Sequence, residues 1–293
     1  MPDDAEADAV LAHPAVAPDA TAAYGDHPDQ IVDFYAPHGG GGPVPLVVVL
    51  HGGSWRQRVD RQYLSPFAAL LARRGFAVAS VEYRRGGAGP VSAGRWPETL
   101  DDIAAALDAL PELVPCALPR ADLRRTVLTG HSAGGHLALW AAARHVLPPE
   151  APWHRPTPPI RGVVALAPLA DLRLARELGV CEGAVEQFLA SADTAAAGSA
   201  AVGSAPAETP AAVRTQWADP AALLPTGIAT TVVQGREDAT VPPQIADAFA
   251  DAAAKEGELV GVTLLDGVGH FAPVDPAADA CAVVVAEIEQ LAW

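Results

Sequence analysis

"TVLTGHSAGGHLALWAA", residues 126–142, sets a β-rich apolar run directly against an Ala/Leu-rich run of helical character. A single serine, Ser132, stands between glycines at the junction, with His131 and His136 beside it. Three chemistries fit such a stretch in isolation: a nucleophile on a sharp turn, an ordinary helix N-cap, and part of a metal site. A strand that turns tightly into a helix is also the repeating unit of parallel α/β sheets, so the same residues bear on the fold.

The flanking sequence extends that pattern. The runs "IVDFY" (31–35), "PLVVVL" (45–50), "FAVASVEY" (76–83), "RTVLT" (125–129), "RGVVALA" (161–167), "ATTVVQ" (229–234) and "VGVTLLD" (260–266) read as strands. Several are too uniformly apolar to face water on either side, as strands covered on both faces are. Between them, residues 62–75, 97–110, 243–257 and 277–291 carry apolar positions at helical spacing. The alternation predicts one α/β domain over 26–293, with a mostly parallel central sheet and helices on both faces. Residues 1–25 are polar, proline-bearing and aperiodic, and predict a flexible N-terminal arm. A break in the rhythm at about 171–217, where "GAVEQFLA" (183–190) gives way to a small-residue tract, predicts a small cap insertion.

Composition narrows the partners. The 293 residues are 50% hydrophobic and 18% charged, an ordinary globular balance. The formal charge of −16 argues against nucleic acid or an anionic membrane, both of which reward clustered positive charge. No apolar run approaches the roughly 18–20 residues that cross a bilayer. The first twenty residues have neither a basic start nor an apolar core of the secretory kind, and the expected location is the cytoplasm. Cys116, Cys181 and Cys281 are odd in number and widely spaced, with no Cys-x-x-Cys pair to hold zinc or cycle a disulfide.

The junction itself has the Gly-x-Ser-x-Gly form in Gly130-His131-Ser132-Ala133-Gly134, in the strand–turn–helix context that the form requires. A sharp turn pushes the serine Oγ clear of the sheet, and glycines at 130 and 134 spare a collision of Cβ atoms. The Ala133 N–H then lies free at a helix N-terminus, where it can meet a developing oxyanion. A serine needs a base and the base an orienting acid, in the chain order nucleophile, acid, histidine on this kind of scaffold. Of the histidines after Ser132, His136 and His145 share its helix and His154 lies in a proline-rich loop. His270 follows a strand in the loop "GVGHF", which makes it the expected base. Asp238, beyond the strand "ATTVVQ" and ahead of a helix near Pro243, is the expected acid; Glu237 and Asp266 are its neighbouring rivals. The glycine turn in "HGGSW" (51–55), after an early strand, can aim further N–H groups at a substrate oxygen, with His51 bracing the loop. His131 and His136 are five residues apart, which does not put two ligands on one helical face, and no metal or cofactor is expected.

Taken in order, "HGGSW", "GHSAGGHL", "GREDATVP" and "GVGHF" resemble the α/β-hydrolase superfamily, and most closely its branch of small esterases and kynurenine formamidases (arylformamidases). That resemblance, weakest in the cap, implies Ser132 as nucleophile, Asp238 as acid and His270 as base. It implies Gly53, Ser54 and Ala133 as donors to the oxyanion, and Trp55 as a substrate-binding residue of the formamidase-like pattern. Tyr83 and Arg84 in "VEYRRG" match a structural Tyr-Arg pair. The expected activity is metal-independent hydrolysis of small carboxylic esters through an acyl-enzyme. The alternatives are arylformamide hydrolysis, action on small peptides, and a non-catalytic binding protein on the same scaffold.

Overall fold

The computed structural model describes residues 2–86, 93–190 and 209–293. Eight strands form one sheet: β1 (Ala20–Ala23), β2 (Ile31–Tyr35), β3 (Val44–Leu50), β4 (Ala77–Val81), β5 (Ala121–His131), β6 (Ile160–Leu166), β7 (Thr230–Gly235) and β8 (Val260–Leu265). Their order is β1-β2-β4-β3-β5-β6-β7-β8. β1 and β2 run antiparallel at one edge, and every pairing from β4 through β8 is parallel.

Side chains alternate along the central strands between two apolar cores. Leu46, Val48 and Leu50 of β3 point into one; Val47 and Val49 point into the other. Helices α3 (Glu98–Ala117), α4 (Ala133–Ala142) and α8 (Gln244–Lys255) cover the first face. On the second lie α1 (Pro2–Ala12), α2 (Ser65–Arg73) and α9 (Asp279–Ala292). With both faces covered, every residue of β3 is buried, which is why its sequence is apolar without alternation.

Two expectations are revised. The helical spacing over 97–110 predicts a helix of that length, yet α3 runs on to Ala117 through Pro111 and Pro115. Burial of Val114 and Leu118 holds the last turns in place of the backbone bonds that the prolines cannot donate. Residues 1–25 are also more than a loose arm. α1 packs Val10 into the second core, and β1 pairs with β2. The helix escapes a periodicity search because its docking face carries carboxylates, Asp3 and Glu6, instead of an apolar stripe.

In the stretch expected to form a cap, α5 (Leu172–Glu177), α6 (Ala184–Leu189) and α7 (Ala211–Ala218) lie between β6 and β7. The tract at 191–208 falls outside the described residues. Among the described residues, no helix is long and apolar enough to cross a membrane.

α4 begins immediately after β5 and lies against the ends of β3 and β6. The approach requires glycine: a Cβ at Gly134 would collide with the carbonyl oxygens of Leu50 and His51, and one at Gly130 with that of Gly134. These obstacles are backbone atoms that cannot rotate away. Gly134→Ala is therefore expected to cost about 3 kcal/mol, the upper range of overpacking, and to lower the Tm by roughly 6 °C or more. Thermal denaturation of the variant checks this, and an unchanged Tm would contradict it.

Candidate active site

Ser132 sits at the β5–α4 junction with φ 57° and ψ −118°. That left-handed conformation costs a non-glycine residue about 1–3 kcal/mol, and surrounding bonds hold it. The Ser132 N–H donates to the Leu166 carbonyl (2.8 Å), and the Ser132 carbonyl accepts from His136 N–H (3.1 Å). The hydroxyl makes no capping bond to α4, so this serine is not an N-cap in the ordinary sense.

Asp238 and His270 meet. The Asp238 Oδ2 accepts from His270 Nδ1–H at 2.7 Å, between side chains almost wholly shielded from solvent. The same carboxylate is fixed by Thr240 N–H (2.9 Å), Val241 N–H (2.7 Å) and Gln234 Nε2–H (2.9 Å). With Nδ1 committed as donor to Asp238, Nε2 is the ring nitrogen of His270 left for other partners. Gly235 lets the two loops touch: a Cβ there would strike the Val268 and Gly269 carbonyl oxygens. Asp266, the rival acid, is exposed and pairs with Arg236 at the surface (2.5 Å), and the Glu237 side chain is exposed.

His131 ties His270 to the serine turn. Its Nε2–H donates to the His270 carbonyl (2.9 Å), and the two rings lie 4.6 Å apart between centroids. Because that carbonyl can only accept, the His131 Nδ1 is an acceptor, and it accepts a hydrogen bond from the Tyr63 hydroxyl (2.9 Å). Tyr63 Oη in turn accepts from Gly52 N–H (2.9 Å), so one chain of bonds joins the loop after β3, the serine turn and the histidine loop. Burial, reinforced by the adjacent His270, pushes the His131 pKa well below its usual value, and burial pushes the Tyr63 hydroxyl up. Both stay neutral near pH 7. Tyr63 escapes a sequence reading because it sits unmarked in a helical run.

The other histidines that follow Ser132 serve the backbone. His136 Nε2–H donates to the Ala218 carbonyl (2.8 Å), His145 Nε2–H to that of Thr226 (2.9 Å) and His154 Nδ1–H to that of Leu147 (2.7 Å). Desolvation lowers the His136 pKa to about 4.

The loop after β3 turns through three successive left-handed residues, Gly53 (φ 101°), Ser54 (φ 53°) and Trp55 (φ 52°). The Arg56 N–H closes the turn on the Gly53 carbonyl (2.9 Å). A Cβ at Gly52 would lie 3.1 Å from the Ser132 Cβ, so this loop and the serine turn are in contact. Gly53, Ser54 and Ala133 thus belong to backbone segments that converge on one serine. Trp55 does not line an open site. It is 0% exposed, stacks on Phe188 at 4.4 Å and meets the His136 ring edge-on at 5.2 Å. Its expected substrate contact is corrected to a packing role, because the left-handed turn swings the indole under α6.

His51 braces the loop, with its ring nitrogens bonded to the Gly52 carbonyl (2.9 Å) and to Glu82 Oε1 (2.8 Å) and its face stacked 4.2 Å from Tyr83. Tyr83 Oη–H donates to the His51 carbonyl (2.5 Å), and Arg84 grips the buried Asp102 through two nitrogens (2.6 and 2.9 Å). Burial opposes the charge on Glu82, but His51, Arg85 and the Arg61 N–H together hold its pKa down to about 2. Among the described residues, no group of three or more His, Cys, Asp or Glu side chains could hold a metal ion.

Sheet order, two-faced covering and this site define the α/β-hydrolase fold. Solved structures share it: esterase B from Lactobacillus Rhamnosis (HN001) superposes with a TM-score of 0.75 over 99% of this chain and 90% of that one, at 18% identity. An acetyl ester-xyloside bifunctional hydrolase from Caldicellulosiruptor lactoaceticus superposes at 0.68 over 94% and 97%, at 17% identity. Residues 32–252 match the BD-FAE family, and the chain belongs to that family. It is similar to a probable isoprenylcysteine alpha-carbonyl methylesterase of Arabidopsis thaliana, 28% identical over 42% of this chain and 24% of the relative. A non-reducing polyketide synthase of Aspergillus calidoustus is 33% identical over 41% of this chain. The matched stretch spans only 5% of that synthase and about a quarter of the methylesterase.

Glu82 yields a pH prediction. Its folded pKa of about 2 lies below its ordinary 4.5, so its contribution is fully present above pH 4.5 and is lost as pH falls toward 2. The shift corresponds to about 3 kcal/mol. Glu82→Gln should lower the unfolding free energy at neutral pH and flatten its decline between pH 4.5 and 2. Denaturant unfolding across that range measures both, and identical slopes in the two proteins would contradict the assignment.

Proposed function

We propose that this protein is a serine hydrolase that cleaves small carboxylic esters through an acyl-enzyme. The observation that carries the reading is the buried Asp238–His270 bond of 2.7 Å, beside a serine whose backbone is held at φ 57° and whose hydroxyl makes no capping bond. His270 Nε2 takes the proton as Ser132 Oγ adds to the substrate carbonyl. The N–H groups of Gly53, Ser54 and Ala133 receive the oxyanion, and each such donor is worth roughly 3 kcal/mol of barrier. The protonated His270 returns its proton to the leaving alcohol, and Asp238 stabilises the transient imidazolium. A water activated by the same nitrogen then releases the acid and restores the serine.

Esters come first as substrates because the similar proteins include esterases and a methylesterase. The resemblance of "HGGSW" to formamidases keeps arylformamides as the second class. The described parts of the expected cap, residues 171–190 and 209–217, lie over the loop after β3 as a cap. In support, Arg56, next to the oxyanion loop, donates to the Cys181 carbonyl (2.8 Å) and pairs with Glu182 (3.3 Å).

Turnover of p-nitrophenyl acetate by the purified protein tests the reading. Ser132→Ala is expected to reduce kcat by roughly 10³-fold or more while the protein stays folded, and Asp238→Asn by roughly 10⁴-fold. Undiminished turnover in Ser132→Ala would refute the mechanism. N-formylkynurenine assayed beside p-nitrophenyl esters separates the two substrate classes: a kcat/KM higher for the formamide would overturn the ester assignment and leave the triad standing.

A further inference from the structure

Two carboxylates outside this mechanism are fastened to the loops that carry it. Asp3 and Glu6 stand three residues apart on α1, a spacing that puts both side chains on one side of a helix. Asp3 Oδ1 accepts from the backbone N–H of His270 itself (3.0 Å), and its Oδ2 accepts from Ala239 N–H (3.1 Å) and the Thr240 hydroxyl (2.7 Å). Glu6 Oε1 accepts from Gly269 N–H (2.7 Å), and its Oε2 from Phe271 N–H (2.9 Å) and Ala272 N–H (3.0 Å). Six donors from two loops converge on two side chains. One loop follows Asp238 and the other contains His270.

The loops are shaped for this contact. A Cβ at Gly269 would collide with the Asp3 carboxylate and lie within 2.9 Å of Glu6 Oε2, so only glycine allows the carboxylates so near the backbone. α1 is anchored independently at its other end, through buried Val10 and through His13, whose Nε2 meets Asp275 Oδ1 at 2.7 Å. Bonds to a carboxylate are shorter and roughly twice as strong as those between neutral groups. An amide in place of either carboxylate offers one oxygen where two are in use, and it turns an –NH2 group toward N–H donors.

Resting on the triad reading above, we propose that Asp3 and Glu6 are positioning residues. They form a two-carboxylate clamp that holds the acid loop and the base loop in one frame and sets the position of the His270 ring relative to the serine turn. The bond from His270 Nδ1–H to Asp238 orients the ring within the frame, and the bond from Asp3 to the His270 N–H fixes the frame's backbone. A misplacement of about 1 Å remote from the reacting atoms can cost about 10²-fold in rate. Loss of the clamp therefore falls on kcat, because Asp3 and Glu6 touch no part of the substrate.

The test uses the full chain with Asp3→Asn, Glu6→Gln and the two combined. Asp8→Asn, on an exposed residue of the same helix, is the control for charge. Two quantities are measured on each: steady-state hydrolysis of p-nitrophenyl acetate, and amide hydrogen exchange at residues 239 and 269–272. The clamp predicts faster exchange at those amides in the clamp variants, with kcat lowered about 10- to 100-fold in the double variant and KM within about twofold. The control keeps wild-type values in both. The single variants supply the reading if the double variant does not fold, with a smaller loss of kcat in each. Faster exchange with unchanged kcat, or losses confined to KM, would overturn the positioning role. Unchanged exchange would overturn the clamp itself. If wild-type protein hydrolyses neither esters nor formamides, the triad reading fails and the positioning role with it, while the exchange rates still decide whether the clamp exists.

Discussion

α4 approaches the end of β3 within backbone contact, and the site depends on that approach. It is possible only because Gly130 and Gly134 present no Cβ to the carbonyl oxygens around them. The same approach goes with the left-handed conformation of Ser132 and brings the loop after β3 against the serine turn. A wider spacing would relax the serine and separate the two backbone segments proposed to hold the oxyanion. The strain of about 1–3 kcal/mol is offset by two apolar cores that fix the strand and the helix independently.

Around that fixed point, the loops are joined by polar bonds in place of apolar packing. Gly52, Tyr63, His131 and His270 form one chain; His51, Glu82, Arg85 and Arg61 form another beneath the loop after β3. Buried networks of this kind are costly when a member is missing, because each lost partner leaves an unsatisfied group. They hold loop positions that apolar side chains, which can slide against one another, would leave less defined.

What the sequence discloses follows from the range of the interactions. Strands such as "PLVVVL" are legible because covering on both faces imposes a local composition. Ser132 is legible because its turn needs glycines within two residues on each side. Asp238 and His270 are found by their order after strands, and the structure brings the two together at 2.7 Å. Trp55 is misread as a substrate contact because nothing local tells that its indole turns inward onto Phe188. Tyr63 and Glu82 act through partners 68 and 31 residues away, and no local pattern marks them. α1 is missed for a related reason: its contacts run from carboxylates to backbone N–H groups more than 230 residues distant, and such contacts leave no periodicity.

The central claim is that Ser132 is a nucleophile activated by His270, and active-site labelling tests it most directly. The protein is treated with a fluorophosphonate probe and the modified peptide is identified by mass spectrometry. A single adduct on Ser132 is expected, formed rapidly in the wild-type protein and far more slowly in His270→Ala. An unlabelled Ser132 in folded protein, or labelling that proceeds at the same rate without the imidazole, would contradict it.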